Sequence, residues 1–162
     1  MGETAADKAM RTIERCVDPK LLRQIAANAR KRGEACVADA ADIRLYEILP
    51  SEKPGTFEHD VWRSIHALEG TLSNERGKTT RLGRTRPKIA RSGELEAVKD
   101  LILRKDASEG FYMLLERQMS GLTFEAVALR HPELFSADVL DAAENRLRSA
   151  GVAVERKSTD RA

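Results

Sequence analysis

Apolar residues recur along this chain at helical steps of three and four, and polar residues fill the positions between them. Residues 4–17 read as a short helix with Met10, Ile13 and Val17 on one face. Asp18-Pro19 then supplies an N-cap followed by proline at the first helical position. The helix it starts turns Leu21, Leu22, Ile25, Ala26 and Ala29 inward and stops after Arg30, Lys31, Arg32 and Gly33. Cations in a last turn oppose the helix dipole, and glycine suits the position after it. A third helix over 34–49 carries Val37, Ala41, Leu45 and Ile48, and with the second it forms an antiparallel hairpin at Gly33.

Pro50 to Gly55 breaks the pattern, since two prolines and a glycine cannot continue a helix. It reads as a linker (50–55) between an N-terminal three-helix unit (1–49) and a helical body (56–152). The strongest stripe follows: Thr56 caps a helix in which Phe57, Val61, Ile65, Leu68 and Leu72 recur, flanked by Trp62. Gly70 weakens this helix by roughly 1 kcal/mol relative to alanine, yet the pattern runs on to Glu75.

Beyond Gly93, Leu95, Val98, Leu101 and Ile102 mark a further helix. Ser108 caps the next, with Phe111, Leu114, Leu115 and Met119 inward and a stop near Gly121. Thr123 caps a short helix that ends at His131-Pro132, because the residue before proline avoids the helical region. Ser136 caps the last helix, whose inner face is Val139, Leu140, Ala143 and Leu147, and Gly151-Val152 fits a Schellman-type stop. The polar tail, 153–162, reads as disordered. The expectation is an all-α helical bundle of about seven to nine helices around a central helix at 56–75.

Composition agrees: hydrophobic residues are 41% of the chain but aromatics only 4%. A core of leucine, isoleucine, valine, alanine and methionine favours helix over sheet. No apolar run approaches the roughly 20 residues that span a bilayer. The first twenty residues lack the apolar core of a signal peptide, so a cytoplasmic protein with no membrane partner is expected. Cys16 and Cys36 form no disulfide framework or metal motif, and each sits among apolar helix positions as a small hydrophobe.

Charge changes the picture. The net charge is +2, but Arg76 to Arg91, RGKTTRLGRTRPKIAR, holds seven of the 28 lysines and arginines and no acid. The remaining residues carry a net charge of −5. This is a mildly acidic body with a local basic segment. Gly77-Lys78-Thr79 is not a phosphate-binding loop: the required first glycine is Leu72, and no strand precedes it. A helix through the segment would place Lys78, Arg81, Thr85 and Lys88 on one face, with Leu82 and Ile89 toward the core. Pro87 either kinks that helix or starts a new one.

Lys78, Arg81, Arg84, Arg86, Lys88 and Arg91 are therefore candidates for contact with the phosphate backbone of a nucleic-acid duplex, with Thr79, Thr80 and Thr85 adding hydroxyls. Docking on an acidic protein partner, as an adaptor or inhibitor, is the alternative, and internal pairing with Glu69, Glu75, Glu94 or Glu96 is the structural one. The segment has no aromatic platform for stacked single-stranded bases. Residues 123–151 have the outline of a helix-turn-helix, but Asp138, Asp141 and Glu144 make its second helix too acidic for a reader. His59 and His66 lie about 10 Å apart on a helix, too far to share a metal, and read as a polar surface or subunit contact. No catalytic constellation, metal site or cofactor site emerges. A homodimer would form through the Phe57–Leu72 face if that stripe is wider than the core can cover.

WRSIHALE, ERGKTTRLGRTRPKIAR and LTFEAVALRHPELF resemble segments of small uncharacterised helical proteins of alphaproteobacteria, over about residues 56–150. The resemblance implies a bacterial, cytoplasmic origin and adds no activity. That group carries a polar residue where Pro87 stands here, a departure that argues against a continuous basic helix in this chain.

Overall fold

Eight α-helices and no strand occur among the residues described by the computed structural model, 2–156. They divide into two compact units, Met1–Pro54 and Gly55–Ala162. The break falls in the Pro/Gly-rich linker.

The first unit holds α1 (Ala5–Arg15), α2 (Pro19–Lys31) and α3 (Ala35–Ile48). Thr4 caps α1 in a reciprocal box with Asp7, and Asp18 caps α2 by accepting from the Lys20 N–H. The α2–α3 hairpin turns at a Schellman motif: the Glu34 N–H donates to the Ala29 carbonyl and the Gly33 N–H to that of Arg30. Leu22, Ala26, Ala29, Val37, Ala38, Ala41, Leu45 and Tyr46 bury between the helices, and Ile13 brings α1 onto α3. The outer rows differ from expectation. Val17 is 75% exposed and Met10 and Leu21 are also outside, because α1 ends at Arg15 and a three-helix unit covers one narrow stripe per helix. Cys16 is buried, whereas Cys36, in the first turn of α3, is exposed. Arg30 is more than a helix-end cation, since its guanidinium pairs with the buried Asp42 carboxylate.

The second unit is built around α4 (Phe57–Arg76), against which α5 (Thr85–Leu103), α6 (Glu109–Glu116) and α7 (Phe124–Arg130) pack. α8 (Ala137–Ser149) closes the body on α5 and α7. Because α4 is covered on several sides, its buried residues exceed a single stripe. Phe57, Val61, Ile65 and Leu68 are joined by His59, Ser64, Ala67, Glu69 and Thr71. This corrects the surface reading of His59, which is 5% exposed.

Two glycines set the path of the basic segment. Gly77 ends α4 with φ +68°, so Gly77-Lys78-Thr79 is a helix exit followed by a loop over 78–84. α5 starts at Thr85 and breaks at Gly93 (φ 84°, ψ 167°), a conformation open essentially to glycine alone. The basic face that a continuous helix would give Lys78, Arg81, Thr85 and Lys88 therefore does not form, as the departure at Pro87 implied. Pro87 sits in the first turn of α5, where its missing N–H would have had no intrahelical acceptor.

The later helices start where the sequence places them, although Ser136 makes no side-chain capping bond to α8; one helix end differs. α6 stops at Glu116, not near Gly121. Gln118 takes the left-handed position (φ 60°), and the Met119 N–H donates back to the Leu114 carbonyl at 2.8 Å, so Met119 reaches the core through a turn. Short 3-10 turns at Ser120–Leu122 and Pro132–Leu134 flank α7. At the end of α8 the Val152 N–H donates to the Leu147 carbonyl, the expected Schellman stop. Within 153–156, the Val154 carbonyl accepts from Arg148, and Arg156 pairs with Asp141 and Glu144. The rest of the tail, 157–162, lies outside the described residues.

Candidate functional site

The basic segment is anchored by α4. Glu69, 8% exposed, carries a carboxylate that accepts three hydrogen bonds. Two come from Arg86, Nε and Nη2 at 2.7 Å each, and one from the Leu82 N–H at 2.8 Å. This bidentate fork is the strong form of an arginine–carboxylate contact. Burial pushes the Glu69 carboxyl up, but the Arg86 and Leu82 hydrogen bonds and the Arg86 and His66 charges together outweigh it and hold it below its ordinary range.

The Arg86 guanidinium also lies 5.1 Å from the Trp62 ring centroid. The Trp62 indole N–H donates to Glu94 at 3.2 Å, tying α4 to α5 past the Gly93 break. Upstream, the Ser73 hydroxyl accepts from the Thr80 N–H at 2.8 Å. Ile89 is buried and Leu82 half-buried, as the segment's apolar positions require.

The six candidate cations thus separate. Arg86 is committed to Glu69 and Trp62 and faces inward, away from the role of a free phosphate contact. Lys88 pairs with Asp100 at 2.6 Å, but both side chains are partly exposed, and surface pairs of this kind contribute little. A phosphate can displace that pair at small cost. Lys78, Arg81, Arg84 and Arg91 are exposed and make no ion pair among the described residues. Arg84 stands at the N-cap of α5, where a serine, threonine, aspartate or asparagine usually accepts from the helix, and makes no capping bond. Internal pairing therefore accounts for two of the six, of which only Arg86 is locked.

Beside the loop lies a groove of about 570 Å³. Leu68, Leu72 and Leu82 form its apolar wall, and Arg76, Arg81 and Arg84 stand along it with Thr80 and Gly83. The start of α6, Ser108, Glu109 and Gly110, completes the lining. Leu72 continues the buried stripe of α4 past the covered part of the helix and is half-exposed here. Gly110 closes the near end; a Cβ built on it would sit 2.5 Å from Leu68 Cδ2.

A second polar cluster has no counterpart in the sequence pattern. Asp60 accepts from His131 Nε2 at 2.7 Å, with Arg130 at 3.5 Å and Arg63 at 3.7 Å. Burial raises the Asp60 carboxyl, but the His131 hydrogen bond and the Arg130 and Arg63 charges prevail and hold it low. The His131 ring meets Phe57 edge-on at 5.5 Å, and Phe57 meets Phe135 at 5.7 Å. This joins the end of α7 to the start of α4 and reads as structural: it holds two arginines and one histidine around a single carboxylate. Buried Glu125 is likewise matched, by Arg146 at 2.9 Å. No group of three or more metal-ligating side chains occurs among the described residues, and no described helix is long and apolar enough to cross a membrane.

Comparison with protein-family models, curated proteins and solved structures finds no match for this chain. The functional reading therefore rests on the basic surface and the groove beside it.

Proposed function

We propose that this protein binds the phosphate backbone of duplex nucleic acid through Lys78, Arg81, Arg84 and Arg91, with Lys88 recruited from its surface pair. The observation that carries this reading is that these four cations are exposed and unpaired among the described residues, although the body around them is net acidic. A purely structural basic segment in such a body pairs off its charges, as Arg86 does. Here one carboxylate, Glu69, holds the segment by Arg86 and by the loop backbone, and leaves the other charges in water. Preorganised cations lose less freedom on meeting a phosphate than those of a mobile tail. The three threonines of the segment add donors suited to phosphate oxygens. With no aromatic residue in the segment, affinity comes from charge and is insensitive to base sequence.

The test is binding of a labelled random-sequence duplex across a salt series. Four phosphate contacts give a log–log salt slope near −4, and charge reversal of Arg81 and Arg84 together weakens binding by at least about tenfold at low salt. Reversal of Lys31 and Arg32, at the end of α2, leaves it unchanged. No binding at about 50 mM salt refutes the reading.

A further inference from the structure

The groove beside the loop has a feature that phosphate binding does not use. A nucleic-acid backbone is met by charge and hydroxyls, yet Leu68, Leu72 and Leu82 offer an apolar wall directly beside Arg76, Arg81 and Arg84. Leu72 belongs to the same stripe as Phe57, Val61, Ile65 and Leu68, which bury in the core, but it is half-exposed and lines the groove. We infer that this groove docks an acidic amphipathic helical segment of a protein partner. Its leucine-type side chains would lie on Leu72 and Leu82, and its carboxylates would meet Arg76, Arg81 and Arg84.

Charge complementarity selects this occupant. Arg76, Arg81 and Arg84 are exposed and unpaired among the described residues, and against them the groove sets one acid, Glu109. Arginine suits carboxylate because its planar donors meet both oxygens at once. The apolar wall distinguishes the partner from a merely acidic one: a helix laid in a groove anchors through apolar residues at i, i+3 or i+4, and i+7. At about 570 Å³ the groove has room for side chains of one such face. Because Arg81 and Arg84 also belong to the proposed phosphate surface, the segment would exclude duplex, and the basic loop would be open to regulation by a protein that imitates nucleic-acid charge.

The experiment uses the full chain and two fluorescent synthetic helices of equal charge. One carries leucines at i, i+4 and i+7 flanked by glutamates; the other has those leucines replaced by serine. Anisotropy is expected to show binding of the leucine peptide, with the serine peptide weaker by about tenfold or more. Leu72→Gln or, on the loop side of the same apolar wall, Leu82→Ser is expected to weaken the leucine peptide by about fivefold to tenfold while duplex affinity holds within about twofold. Equal binding of the two peptides means bare charge attraction and overturns the inference. Leucine-dependent peptide binding without duplex binding upholds it and refutes the nucleic-acid reading. Duplex binding that the leucine peptide does not displace upholds the nucleic-acid reading and overturns this one.

Discussion

Replacing Glu69 with alanine tests the claim that one carboxylate fixes the basic segment. The change removes the acceptor of three hydrogen bonds, two from Arg86 and one from the Leu82 N–H. Breaking a fully buried ion pair by deleting one partner costs about 3–5 kcal/mol. The Arg86 side chain is 26% exposed and keeps its place over Trp62, so part of its charge is rehydrated. That discount leaves about 1–2 kcal/mol from the arginine, and the half-buried Leu82 N–H adds about 1 kcal/mol. The expected destabilisation is about 2–3 kcal/mol. Urea unfolding at pH 7, followed through Trp62, measures it; Trp62 is the only tryptophan and reports the second unit alone. A loss below about 0.5 kcal/mol, with unchanged amide exchange at Leu82, would refute the argument, because that is the scale of a surface substitution.

The same contact predicts an acid limb: folded Glu69 binds its proton less readily than the unfolded chain does, so its contribution is full above its ordinary value of 4.5 and is lost as pH falls below that. Urea midpoints between pH 7 and pH 3 should therefore fall less steeply in Glu69→Gln than in the parent. Gln118→Gly should stabilise the second unit by about 0.5–1 kcal/mol in urea melts, because glycine relieves the left-handed strain at φ 60°. Arg146→Met should destabilise it by about 3 kcal/mol, since Arg146 bonds the Leu101 and Arg104 carbonyls as well as buried Glu125; adding Glu125→Gln should restore part of the loss. Gly110→Ala should cost about 1–2 kcal/mol in spite of the better helix propensity, because the added methyl meets the buried Leu68 side chain.

Caps and apolar stripes make most of the helices legible in the sequence alone. Thr56, Ser108 and Thr123 each accept from a backbone N–H three residues on, and the Pro50–Gly55 break marks the division of the chain. Tertiary enclosure is what the pattern does not carry. His59 and Glu69 are polar residues off the main stripe, and only the packing of three helices around α4 makes them interior. The end of α6 is hidden because glutamine, rather than glycine, holds the left-handed position. At the candidate site, the sequence shows where positive charge concentrates but not how it is divided. Arg84 and Arg86 look alike in a string of letters. One stands in water and the other is sealed onto Glu69 by a contact seventeen residues away in the chain. The groove is equally hidden, since Leu72 reads as one more core position of the stripe.

The glycines at 77 and 93 have a consequence for how such a chain can change over generations. Each takes a backbone conformation that marks an abrupt change of direction, one where α4 ends and the other where the second half of α5 resumes. Everything between them is an excursion whose two ends are fixed by local geometry. Lengthening its exposed loop costs only about 0.6 kcal/mol for each doubling. The exposed positions of 78–84 can therefore drift while the Thr80 and Leu82 bonds to α4, with Arg86 and Ile89, keep the rest seated. The fold carries much of its positive charge on a loop whose exposed positions can be rewritten without rebuilding the helices beneath it.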